Sequence, residues 1–178
     1  MMKADPEGFV ESGKACDLLQ FYFDGYPIET LRPLLRTGNE YILQSASFIA
    51  SELGSQAWPL AEEMIPLLRA ESPHVVWYAL EVLAVCSVGE KVRLYAHVLR
   101  MLESEIPAFR ELAARLVGRA EVSQLLAARR WLEKQSDGAL HVVGIGLLLG
   151  DRGSSKSAED ASSSDLLRLY GEIATARG

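Results

Sequence analysis

The chain has 178 residues, enough for one domain that buries roughly two thirds of its unfolded surface, with 49% hydrophobic and 24% charged residues and a net charge of -6. That composition excludes a disordered or fibrous chain, and the acidic balance opposes attraction to phosphate backbones and anionic lipid. Leu and Ala, both strong helix formers, supply roughly a quarter of the residues, so an all-α fold is expected.

Along the chain, 12–23 reads as a capping helix with Ala15, Leu18, Leu19 and Tyr22 on one face. The aromatic run FYFDGYP at 21–27 makes the following turn. Tyr22 and one phenylalanine are expected in the core, which leaves Asp24 and Tyr26 available to a partner. Pro27 opens a helix that stops at Gly38. Asn39 then caps a second helix whose inward face is Ile42, Ala46, Ile49, Ala50 and Leu53, closed by Gly54. Trp58 and Pro59 open the next first helix; Ser72 and Pro73 open its partner, serine as cap and proline in the first turn. Val75, Ala79, Val82, Leu83 and Cys86 form the buried stripe of that partner. A third pair covers 90–104 and 107–120, with Phe109, Ala113, Leu116, Val117 and Ala120 inward, and a fourth covers 121–134 and 138–150. Pro33 and Pro66 fall inside first helices, where a proline costs about 3 kcal/mol unless the helix bends, so matching kinks are expected. The serine-rich stretch 151–164 reads as a flexible linker. An amphipathic helix through Leu166, Leu167, Leu169, Tyr170 and Ile173 fills 165–178, able to fold back on the helices before it.

The pairs repeat. LRPLLR at 31–36 returns as MIPLLR at 64–69, an offset of 33 that also sets Ala46 on Ala79, Ile49 on Val82 and Ala50 on Leu83. A further shift of 34 sets Leu68 on Leu102, Pro73 on Pro107 and Ala79 on Ala113. Hairpins that repeat at this period, each unable to bury its apolar face alone, predict a right-handed α-solenoid of about four hairpins over 1–150, with flanking helices at both ends.

Paired helices of about 33 residues, a proline in the first and a small-apolar stripe in the second resemble HEAT-like repeats of the armadillo superfamily over 27–150. The Val-Arg pair usual in such repeats is approximated only by Phe109-Arg110; Ile42-Leu43 and Val75-Val76 stand in its place elsewhere. More narrowly, FIASELG at 48–54, PLLR at 66–69, Ser72-Pro73 and WYAL at 77–80 resemble small bacterial HEAT-like proteins associated with toxin-neutralising immunity. That likeness implies steric inhibition of a toxin domain.

Nothing in the sequence assembles a catalytic set. His74, His97 and His141 lie in different helices and outside any HExxH, GxSxG or P-loop context, so partly exposed or hydrogen-bonded helical histidines are expected rather than an enzyme. Gly144-Ile-Gly146 has no preceding strand, and close helix packing is its expected role. Cys16 and Cys86 form no CxxC pair and are expected in the core, with no metal or other cofactor implied. The first ten residues lack the apolar core of a signal sequence and the greasiest run, 139–149, is too short to span a bilayer, so a cytoplasmic protein with no membrane partner is expected. A HEAT-like DNA glycosylase would need a basic groove. Here Arg93, Arg100, Arg110, Arg115 and Arg119 alternate with Glu90, Glu103, Glu105, Glu111 and Glu121, which disfavours nucleic acid.

What remains is a binding surface. Second helices of stacked hairpins line the concave side, and positions off the buried stripe fall into rows: Gln44, Trp77 and Glu111, then Phe48, Glu81 and Arg115. Trp77 is not required by the repeat core, and an aromatic anchor beside acids is typical of protein-binding hot spots. Glu40, Glu52, Glu81 and Glu111 would speed encounter with a basic partner. The sequence therefore predicts a non-catalytic module that binds a basic protein, as a monomer or in a heterocomplex, through Trp77, Glu81, Phe48, Gln44, Glu111, Glu52, Tyr26 and Asp24. The alternatives are a scaffold subunit of a larger complex and, less favoured, a glycosylase-type nucleic-acid binder.

Overall fold

The computed structural model describes residues 7–8, 14–151, 154 and 164–177. All regular structure among them is helical, as expected, and the chain divides into two compact units at Cys86 and Ser87.

In the first unit, α1 (Lys14–Phe23) packs on α3 (Glu40–Glu52). Between them the chain makes a 3-10 helix, Ile28–Leu31, that passes directly into the single turn α2 (Arg32–Leu35). After α3, a second 3-10 helix, Gly54–Glu63, passes into the single turn α4 (Met64–Leu67), and α5 (Pro73–Cys86) closes the unit. Two hairpins result. Their 3-10 arms lie against each other, and α3 lies along α5. Asn39 caps α3 by accepting from the backbone N–H of Ile42 at 3.1 Å, a contact worth about 1 kcal/mol. Gly54 follows the helix at φ +55°, left-handed backbone that favours glycine. Ile42, Ala46, Ile49, Ala50 and Leu53 are all buried, as are Val75, Ala79, Val82, Leu83 and Cys86.

The long first helices expected around Pro33 and Pro66 do not form. Pro33 and Pro66 each sit in a four-residue α-segment that continues directly from a 3-10 helix, so each interrupts only a short stretch of helical hydrogen bonding. Instead of a long helix bending at proline, each first arm winds as 3-10 and relaxes to α just before it. The second arm also begins at Gly54 rather than at Trp58 and Pro59. Three residues per turn aligns i with i+3, which places Ala57 and Leu60 on one buried line and Ala61, Met64 and Leu67 on another. The carboxylate of Glu63, next on the first line, binds Arg32 and, at 2.6 and 2.7 Å, Arg36. Two further expectations fail. Cys16 is exposed because it lies on the outer side of α1, and both Phe21 and Phe23, at 60% and 49% exposure, flank Tyr22, which alone of the three turns inward.

In the second unit, α6 (Tyr95–Arg100) is flanked by 3-10 helices Gly89–Leu94 and Met101–Glu103. Then come α7 (Pro107–Gly118), α8 (Val122–Leu132), α9 (Ala139–Leu148) and α10 (Asp165–Arg177). Phe109, Ala113, Val117 and Ala120 are buried, whereas Leu116 is only half-buried. Gln124 completes a capping box at the start of α8, accepting from the N–H of Glu121 at 3.0 Å and donating to the Ser87 carbonyl at 3.3 Å. A regular stack would seat α9 chiefly along α7. Here α10 packs against both. Of the expected linker 151–164, only residues 151, 154 and 164 are described; the remainder lies outside the described residues.

Gly144 and Gly146 serve close packing, as expected. A Cβ on Gly144 would overlap the Tyr170 ring, and one on Gly146 would overlap the Ser154 side chain.

Candidate protein-binding face

The first unit brings several of the predicted residues onto one face, built by α3 and α5. On α5, Trp77 and Glu81 are one helical turn apart, and the indole Nε1 donates to Oε1 of Glu81 at 3.1 Å. Both residues are half-buried. Tyr78, beside Trp77, meets Phe48 of α3 edge to face at 5.6 Å, and His74 stacks on the same tyrosine at 6.4 Å. Phe48 also packs against the small core of Ala15 and Ile42, so α1, α3 and α5 are joined through it.

Electrostatics tie the acids to this aromatic group. Partial burial raises the Tyr78 phenol above its ordinary value, and the charges of Glu81 and Glu52 raise it further. Both charges therefore act on one tyrosine from different helices. Glu52 is the last residue of α3 and exposed. A negative charge there opposes the helix dipole, so helix stability gives no reason for it.

Gln44 lies half-buried on α3. Glu111 is exposed on α7, in the second unit. Asp24 and Tyr26 are exposed in the turn after α1: Asp24 accepts from Gln20 at 3.0 Å, and Tyr26 meets Tyr22 edge to face at 5.5 Å. With Leu18, Phe21, Thr30 and Leu34 these tyrosines line an open apolar pocket of about 410 Å³. Sequence reasoning passed over Tyr78 and His74. The signal for Tyr78 was a tyrosine where the preceding repeat carries Ser45, which is buried, a position too crowded for a ring unless it leans outward.

Among the described residues, no group of three or more His, Cys, Asp or Glu could hold a metal ion, and no helix is long and apolar enough to cross a membrane. The histidines are all packed or stacked. His97 lies against Trp131 at 5.6 Å, with the Arg100 guanidinium 5.0 Å from the same indole. His141, 1% exposed, shares a 2.8 Å hydrogen bond between Nδ1 and the Tyr170 hydroxyl, while Nε2 lies 2.6 Å from Oε1 of Glu103 in an off-axis contact. No protein-family model matches this sequence, and no curated protein matches it.

Proposed function

We propose that the chain is a HEAT-like, non-catalytic binding module that engages a basic protein through the α3/α5 face, with Trp77 and Tyr78 as aromatic anchors. Glu81 and Glu52 supply the charge that draws the partner in. The observation that carries this reading is the Trp77–Glu81 hydrogen bond at 3.1 Å. It fixes a half-buried indole beside an acid, so less side-chain freedom is lost when a partner binds. A toxin domain, inhibited sterically, is the partner class that the immunity-protein resemblance implies. The stacked hairpins of the first unit are compatible with HEAT-like repeats, and the absence of a continuous basic row argues against nucleic acid as the ligand.

The test compares wild type with the Trp77→Ala/Glu81→Lys double variant in affinity capture at low and moderate salt. A basic protein retained by wild type and lost by an equally helical variant supports the proposal. Equal retention by both, or retention of nucleic acid alone, overturns it. A scaffold role is favoured instead by the exposed aromatic pocket at Phe21 and Tyr26, and self-association abolished by Phe21→Ser would select it.

A further inference from the structure

The apolar pocket of the first unit is a corner built from rings. Leu18 and Leu34 form its floor and pack on the core of Ala15 and Ile42, so the floor is held from below. Tyr22 and Tyr26 form two walls, with ring centroids 5.5 Å apart and planes at 75°. Phe21, exposed on the last turn of α1, stands at the rim. The hydroxyls of Tyr22 and Thr30 serve each other. Thr30 donates to the Pro27 carbonyl at 2.6 Å, which leaves its oxygen to accept from the Tyr22 hydroxyl at 3.2 Å. Neither proton is left for an anionic ligand. Among the described residues, no charged side chain lines the pocket. A primary ammonium would therefore enter with three N–H donors and too few acceptors.

The chain around the pocket is acidic. Residues 17–30, which supply five of its six lining side chains, carry Asp17, Asp24 and Glu29 and no lysine, arginine or histidine. All three acids are exposed. Arg32 and Arg36, the cations that follow, are drawn to Glu63. That stretch therefore sets a negative potential that favours a cation. The rings add to it, because an aromatic face carries the negative part of the ring quadrupole and attracts a cation within about 6 Å of its centroid. With the Tyr22 and Tyr26 centroids 5.5 Å apart, one cation reaches both rings at once. A quaternary ammonium meets each condition: it carries the charge, needs no hydrogen bond, and presents methyl groups to an apolar floor.

We propose that this pocket is a binding site for a trimethylammonium group, held by Tyr22, Tyr26 and Phe21 and sharing no residue with the α3/α5 face. Choline and a trimethylated lysine side chain both present that group.

Titration of the full chain with choline, followed through the choline methyl proton resonance, tests this. Saturable binding is expected, with an upfield shift as the methyl groups meet the ring faces. Dimethylbutanol, the neutral isostere in which carbon replaces nitrogen, is expected to bind about fivefold or more weakly, as is ethanolamine, a primary ammonium. Tyr26 is exposed, so Tyr26→Ala should abolish the shift at unchanged helical content, while Tyr26→Phe keeps the ring and the shift. A short peptide carrying trimethyl-lysine, titrated in parallel, separates the sources: tighter binding than choline assigns the site to a modified protein, weaker binding to a free small molecule. Absence of saturable binding by both choline and the peptide overturns the proposal. Equal binding of choline and its neutral isostere also overturns it, and neither result depends on a variant that must fold. Binding of choline that survives Tyr26→Ala overturns the assignment to this pocket.

Discussion

The indole of Trp77 donates to the carboxylate of Glu81 one turn further along α5, at 3.1 Å, so an anchor and a steering charge are held by a single contact. Glu81→Gln keeps an acceptor and removes the charge. Stability is expected to change by less than about 0.5 kcal/mol. Association with a basic partner slows several-fold at low salt, and the difference disappears at high salt. Stopped-flow mixing across a salt series checks both. Without any partner, Glu81→Ala should shift the Trp77 indole N–H resonance in a nitrogen–proton correlation spectrum, whereas Glu81→Gln should shift it less.

Gly144→Ala sets two effects against each other. Alanine gains about 1 kcal/mol of helix propensity over glycine, but its Cβ would overlap the ring of Tyr170. Because that ring is fully buried and hydrogen-bonded to His141, it has little room to give. Overpacking is expected to win, with a net loss of about 1–3 kcal/mol in urea unfolding. A substitution no more stable than wild type only at Gly144, with Gly171→Ala neutral or stabilising at an open position of α10, would separate the collision from propensity.

Stability should fall with acid in two windows. Burial lowers the His141 pKa below its ordinary 6.5 against the opposing pull of Glu103 and Asp137, with Arg100 lowering it further. Burial and Arg100 lower His97 in the same way. Below pH 6.5 the unfolded chain therefore binds protons that the folded chain resists, and stability declines by at most about 1.4 kcal/mol per pH unit for each histidine until the folded pKa is passed. Glu63, lowered by its hydrogen bond to Arg36 and by Arg32, adds a second loss as pH falls below its ordinary 4.5. His141→Gln should reduce the upper window to the part due to His97 and leave the lower one. A melting series from pH 8 to pH 3 distinguishes them.

Arg177→Ala removes charged donors from the carbonyls of Val117 and Ala120. The expected cost is about 1–2 kcal/mol, seen first as faster amide exchange in α10 and the last turn of α7. Arg177→Lys should restore less than half, because one ammonium cannot serve separated carbonyls as a guanidinium fork does.

The long second arms of the hairpins were legible because their signals agree: Asn39 and Gly54 bracket α3, Ser72 and Pro73 open α5, and the apolar spacing is helical throughout. The first arms were not. A short run with apolar residues three and four apart fits 3-10 and α alike, and only the order Ala57, Leu60, then Ala61, Met64, Leu67 separates them. At the site, Trp77 and Glu81 could be paired by their spacing of four. That the charges of Glu52 and Glu81 both act on Tyr78 depends on how α3 lies along α5, which no local pattern states. The role of α10 was hidden for the same reason: its amphipathic face is plain, but the seat made by Gly144, His141 and the end of α7 comes from residues as far as 60 positions away in the chain.

A 3-10 helix advances about 2.0 Å per residue against 1.5 Å in an α-helix. The ten residues of Gly54–Glu63 therefore cover about 20 Å, the length that α3 needs thirteen residues to span. The tighter winding lets the 3-10 stretch alone match the length of α3 before the arm continues into α4. A single inserted residue in that arm would lift every later side chain by a third of a turn, and Glu63 would swing away from Arg32 and Arg36.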